Sequence, residues 1–361
     1  MKTNQDKNIY IIGAGVSGLI AAQNLEQKGY VPTILEATGY IGGRVRTEII
    51  DGWILDVGFQ VLLDAYPMSK KYLNYVDLDL QRLSPGARIY TDNDSYIIGD
   101  PLRDISMLLP TLFSSIGSIR DKLKIFQLNL RLKNTPTSTL FNKKERTTLA
   151  YLQYLGFSDK IITQFFKPFF FGIFLECHLH TSSRMFEFIY KMFAEGFATL
   201  PKAGIGAIAS QLAGQLKTTQ IQLNNEVQKV TTDFITMASG DQYPYDVCIV
   251  ATDPSSFLEG YSVKNRWKTC DTLYFSVPIN NVPPPIIHLS ALSDTLINHI
   301  FYPTSVQQAP YPHLQLLSVT VVKQHSFSSE VLVSQVMGEL EKYFSIIKAK
   351  FIKHYAIQRA L

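Results

Sequence analysis

The feature that most restricts this chain is a glycine turn near its start, Gly13-Ala14-Gly15-Val16-Ser17-Gly18. An apolar, β-favouring run at 8–12 precedes it, and residues 17–28, with Leu19, Ile20, Ala22 and Leu25, suit a buried helix. Gly29 ends that helix, and 31–35 reads as a second strand. Strand, helix and strand in this order predict a βαβ unit with parallel pairing and a right-handed crossover. Each glycine then has a reason. Gly13 permits the tight turn, Gly15 leaves bare backbone for a pyrophosphate to approach, and Gly18 lets helix and strand pack closely. The backbone N–H groups around Ala14, Val16 and Ser17 face a helix start, where an anion is favoured. Glu36 closes the second strand about 20 residues on, with Ala37 after it, and an acid there binds ribose hydroxyls. An acid also disfavours a 2′-phosphate, but it does not separate NAD from FAD. The plain alternative is a glycine turn without a ligand; the ordered strand, turn, helix, strand and acid favour the dinucleotide.

The next stretch, Gly39-Tyr40-Ile41-Gly42-Gly43-Arg44, adds two adjacent glycines and a guanidinium suited to phosphate. Together with Gly13, Gly15, Gly18 and Glu36, it resembles the N-terminal signature of flavin-containing amine oxidases, protoporphyrinogen oxidases and phytoene desaturases. Val57-Gly58-Phe59 resembles that family's second glycine element, which lies near the flavin ring. Leu200 to Gly206 is similar to its segment bordering the active site, and the strand at 221–230 to the one contacting adenine, with Val227 at the contact. Ala251 and Thr252 match the turn that returns to the cofactor. The resemblance is good to about residue 255 and poor beyond.

The resemblance implies FAD as cofactor and an α/β fold. A Rossmann-like FAD-binding domain (1–63 and 192–255) would be interleaved with an α+β substrate domain (64–191 and 256–361). It implies hydride transfer from a lipophilic small molecule (polyene, tetrapyrrole or amine) to flavin, with an electron acceptor left open. Two other readings stand beside it: a flavin-dependent isomerase of the carotenoid type, and a non-catalytic binding protein that holds flavin weakly. The second is favoured by one departure: after Gly260 only Gly338 remains, so the family's closing Gly-Asp strand and helix are not matched. No catalytic acid or base is assigned; Lys202 only neighbours a cofactor-like segment.

The rest of the sequence sets broader limits. A formal charge of +4 over 361 residues gives no case for nucleic acid as main partner. Cys177, Cys248 and Cys270 are scattered and odd in number, which suits a reducing, cytoplasmic setting without a disulfide framework. The start lacks a signal peptide's apolar core, and no run reaches the ~18 apolar residues of a spanning helix. Cys177-His178-Leu179-His180 has no second cluster to complete a metal site, so no metal is expected. Residues 101–200 read as mostly helical, with helices at 149–155 and 161–166, and strands return between 221 and 322 before a helix at 328–344. The aromatic run from Thr163 to Phe174 suits either the wall of a lipophilic cavity or a packed helical core. Ile116, Ile119, Leu123, Phe126 and Leu130 recur at helical spacing among Arg120, Lys122, Lys124, Arg131 and Lys133. Such a helix is either a core helix with a solvated basic face or one lying on a membrane surface.

Overall fold

A computed structural model of the chain describes residues 4, 6–58, 60–258, 260–261, 267–279 and 284–361. The opening βαβ unit forms as the glycine spacing predicts. Strand β1 (Ile9–Ile12), helix α1 (Val16–Glu26) and strand β2 (Thr33–Leu35) follow one another, and β1 pairs with β2 in parallel, Ile11 opposite Ile34. Helix α1 buries Gly18, Leu19 and Ala22 against the sheet, and Gly29, at φ +80°, turns the chain back. Two late segments complete this sheet. Val247–Val250 pairs in parallel on the free side of β1, and Gln220–Gln222 on the free side of β2. The carboxylate of Glu26, at the end of α1, accepts the N–H groups of Lys217, Thr218 and Thr219. That clamp delivers the chain to Gln220 in register.

A second, seven-stranded sheet is mainly antiparallel. Its order is Lys350–Ile357, Cys270–Pro278, Leu314–Val321, Ile297–Phe301, Ile287–Ser290, Gly86–Tyr90 and Ser95–Gly99. One face of its central strands, through Leu273, Phe275, Leu317 and Val319, packs on the helix Ser329–Phe344 through Leu332, Val336 and Leu340. Toward its other end the sheet carries the helical layer through Ala87, Ile89 and Leu289. The architecture is mixed α/β, as expected. The segment 101–200, read as mostly helical, is so in the structure and ends in a short strand, Ala198–Pro201, while the hairpin Gly86–Tyr90 and Ser95–Gly99 lies just before it.

The aromatic run resolves in favour of packing. Phe166, Phe170, Phe174 and Phe186 are buried against one another, with Phe170 and Phe186 centroids 4.8 Å apart. A π-helical turn, Ile162–Phe166, leads into the helix Lys167–Phe174. Pro168 has no N–H to return to the Gln164 carbonyl, which loosens the preceding turn. The helix rests on the sheet, where Asn298 Nδ2 donates to the Pro168 carbonyl at 3.2 Å.

Candidate cofactor site

The glycine turn is fixed from three sides. Gly13, at φ +103°, donates its N–H to the Leu35 carbonyl at 2.8 Å. A Cβ on Gly13 would lie 3.1 Å from Thr252 Cβ and 3.3 Å from the Ala251 oxygen, so Ala251 and Thr252 wall the turn from the side of the late strand. Ala251 is held there by its own N–H, which donates to the Ile12 carbonyl at 2.9 Å. At Gly18 a Cβ would stand 2.0 Å from the Gly13 oxygen, so helix and turn touch at backbone distance.

Glu36 does not point away from this corner. Its carboxylate accepts the Ala14 N–H at 2.7 Å and the N–H and hydroxyl of Thr38 at 3.0 and 2.8 Å. The side chain therefore arches over the turn, half-buried, with Ala37 exposed beside it. The Glu36 carbonyl accepts from Asn225 N–H at 2.8 Å, which sets Val227, two residues on and buried, beside the same edge.

The second glycine pair joins the first. Gly42 donates its N–H to the Ala14 carbonyl at 2.9 Å and bridges to Gly15 in parallel fashion. A Cβ on Gly43 would meet only Gly15 Cα, at 3.5 Å. Arg44 follows with an exposed guanidinium whose Nη1 donates to the Ala360 carbonyl at 3.0 Å. Val57 N–H donates to the Arg46 carbonyl, and Gly58 is positioned against Ile357, whose Cδ1 would lie 2.8 Å from an added Cβ. Phe59 lies outside the described residues.

One place in this corner is open. A Cβ on Gly15 would meet no protein atom within 4 Å. Gly15 is also the N-cap of α1, no side chain caps it, and the first turn, with Val16 and Ser17, carries no acid. A helix start of this kind leaves N–H donors unsatisfied and carries partial positive charge. Bare backbone, an uncapped helix and a nearby ribose-type carboxylate fit a dinucleotide diphosphate such as FAD.

Sequence reasoning missed the support beneath this cradle. Strands Thr47–Ile50 and Trp53–Asp56 form a hairpin, and the Thr47 hydroxyl donates to Asp56 Oδ1 at 2.6 Å. Ile205 N–H donates to the same oxygen at 2.9 Å, and Gly206 N–H to the Thr47 hydroxyl at 2.8 Å. The turn that borders the active site in the resembled family is thus pinned to the hairpin. Gly204, at φ +89°, permits the contact, since a Cβ there would sit 2.5 Å from Thr47. Lys202 points elsewhere, to Asp79 at 3.2 Å, with both side chains mostly exposed.

Burial raises the Asp56 pKa to about 6 despite the stabilising bonds from Thr47 and Ile205. A folded-state value above the unfolded one means the protonated form is favoured by folding, so stability falls as pH rises from about 4 through 6. Asparagine keeps an acceptor for both donors. The Asp56→Asn variant should therefore lose this pH dependence and gain about 3 kcal/mol over wild type at pH 8. Urea unfolding of both proteins at pH 5 and pH 8 checks it; parallel pH profiles would refute it.

A further grouping could not be found from spacing. Asp271 binds His354 Nε2 at 2.7 Å and His325 Nε2 at 3.1 Å, while His354 Nδ1 and Ser329 Oγ are 2.8 Å apart. These residues line a recess of about 420 Å³ and tie the start of the last helix to the edge strand. Among the described residues no group of three or more His, Cys, Asp or Glu could hold a metal ion. No described helix is long and apolar enough to cross a membrane.

Comparison with known proteins identifies the family. The family model for flavin containing amine oxidoreductases matches residues 16–354. An L-amino-acid oxidase from Echis ocellatus is 27% identical over 252 residues, covering 64% of this chain and 49% of the relative. The chain thus spans about half the length of the curated relatives it matches. Among solved structures, an oxidoreductase from Methanosarcina mazei superposes with a TM-score of 0.71 at 17% identity, covering 97% of this chain and 87% of that one. A reduced UDP-galactopyranose mutase does so at 0.67 with 15% identity, covering 98% and 83%. These likenesses carry the fold. The matched model covers nearly the whole chain, and the protein belongs to the flavin containing amine oxidoreductase family.

Proposed function

We propose that this protein is an FAD-dependent oxidoreductase that takes a hydride from a lipophilic small molecule, a polyene, tetrapyrrole or amine. Bound FAD supplies the hydride acceptor. The chain's own residues bind and orient it. Gly13 to Gly18, with Ala14, Val16 and Ser17, offer backbone N–H groups and the α1 dipole to the diphosphate. Glu36, with Ala37 behind it, takes the ribose hydroxyls, at the cost of its present bond to Ala14. Gly42 and Gly43 give the diphosphate close passage, and Arg44 adds positive charge. Val57 and Gly58 line the flavin end, Val227 the adenine end, and Ala251 and Thr252 the back of the turn. In this reading residues 1–63 and 192–255 form the FAD-binding domain, and 64–191 and 256–361 the substrate domain.

The observation that carries the reading is the open space over Gly15 at an uncapped helix start. It also supplies the test. Valine at position 15 meets no protein atom at its Cβ, so Gly15→Val should fold as wild type does. Its branched side chain fills the diphosphate path, and FAD affinity should fall about 100-fold, ~2.7 kcal/mol. Flavin absorbance and fluorescence titration with added FAD measure this, with thermal unfolding of the flavin-free proteins as control. Equal FAD binding by both proteins, or none by wild type, would overturn the assignment.

A further inference from the structure

The helix Ile119–Lys133 has two apolar faces. Leu128 and Leu132 are buried toward the helical layer. Of the stripe visible in the sequence, Ile116 is buried ahead of the helix and the rest faces outward: Ile119 is 66% exposed, Leu123 58%, Phe126 44% and Leu130 42%. These residues are spaced 4, 3 and 4 apart, one continuous ridge on an α-helix. The short helix before it, Leu108–Phe113, extends the ridge with Leu109 and Phe113, the latter 78% exposed. The two helices are joined as one surface, because Lys122 Nζ donates to the carbonyls of Leu112 at 2.9 Å and Ser114 at 2.7 Å. Large apolar side chains exposed together on a protein surface point to an interaction site.

Charge selects the occupant. The longer helix carries five bases, Arg120, Lys122, Lys124, Arg131 and Lys133, against one acid, Asp121. That acid is turned inward and buried, held by Ser118 and Ser158. Arg131 is paired with Glu187, and Lys122 and Lys124 bond backbone carbonyls, so Arg120 and Lys133 are the bases that flank the ridge facing outward, with the helix's only carboxylate withdrawn. A second copy of this chain would bring those cations against their own kind. An anionic lipid surface offers hydrocarbon for the ridge and phosphate for the bases.

We infer that helices Leu108–Phe113 and Ile119–Lys133 dock this protein on the surface of an anionic bilayer. The ridge enters the boundary between headgroups and acyl chains, and Arg120 and Lys133 contact lipid phosphates. No flavin takes part, so the inference stands or fails independently of the proposed activity.

The full chain is tested by co-sedimentation with vesicles of phosphatidylcholine alone and of equal parts phosphatidylcholine and phosphatidylglycerol. Wild type should bind the mixed vesicles about tenfold more tightly than the neutral ones, and high salt should weaken the difference. The Leu123→Ser/Phe126→Ser variant, changed only at exposed positions, should bind at least about tenfold more weakly with unaltered thermal unfolding. Arg120→Glu/Lys133→Glu should lose the preference for the anionic vesicles. Wild type that stays in the supernatant with both vesicles overturns the inference. So does binding that survives the serine variant, or a wild-type dimer, seen by light scattering, that the serine variant dissolves without any vesicle binding having occurred.

Discussion

The Gly18→Ala variant should be too unstable to purify as a folded protein, or should unfold at least about 4 kcal/mol more easily than wild type. A single methyl group is responsible. Its carbon would sit 2.0 Å from the Gly13 oxygen and 3.2 Å from the Gly13 carbonyl carbon, both backbone atoms. Neither can rotate away as a side chain would. Relief requires α1 to move off the turn, yet Leu19 and Ala22 are fully buried beside it, and the Gly13 N–H is tied to Leu35. The same substitution at Gly15 meets nothing. The pair thus separates folding from ligand binding within one turn. Urea unfolding of flavin-free protein checks the prediction, and near wild-type stability for Gly18→Ala would show that α1 lies farther from the turn than the structure has it.

The second large effect is expected in the helical layer. Glu187 is buried in the helix Ser183–Glu195, and its carboxylate accepts from Lys143 Nζ at 2.8 Å and Arg131 Nη2 at 3.2 Å, and from the Tyr151 hydroxyl. Both cations are partly exposed, so either returns to water at little cost; the carboxylate cannot. The consequence is asymmetric. Arg131→Ala/Lys143→Ala leaves a buried charge without a cation and should cost about 3–5 kcal/mol. Glu187→Leu removes the charge itself and should cost less, about 1–2 kcal/mol for the lost bonds. Adding Glu187→Leu to the double variant should then restore stability. Urea midpoints of the four proteins decide it; a triple variant weaker than the double would sink the argument.

What the sequence revealed, and what it hid, follows from range. The cradle was legible because its signals are local. Glycine positions, helix periodicity and an acid at a fixed offset all lie within about 40 residues, and each has a steric or electrostatic reason. The hairpin at Thr47–Asp56 was missed because its strands are short, and the value of Asp56 lies in a bond to Ile205, which no spacing rule connects. The edge strand Lys350–Ile357 was missed because it is half-solvated, with Lys350 and Lys353 interrupting any alternation. Periodicity revealed the ridge at 119–130 but not its direction. A stripe of Ile, Leu and Phe reads as core by default, and only the buried Leu128 and Leu132 opposite show that the core is on the other side. The aromatic run shows the reverse: a wall for a ligand was one reading, and mutual packing of its rings is the outcome.

The parallel sheet has a consequence for how this protein is made. Strands β1 and β2 emerge from the ribosome first, but the partners that cover their outer edges, Gln220–Gln222 and Val247–Val250, come some two hundred residues later. For most of translation the pair carries two bare rows of amides and carbonyls, the kind of edge that recruits stray chains. Thr252, which backs the glycine turn, arrives after both edge partners, and Ile357 and Ala360, which meet Gly58 and Arg44, come later still. The turn that would hold the cofactor is therefore walled only when residues more than two hundred positions downstream have been made.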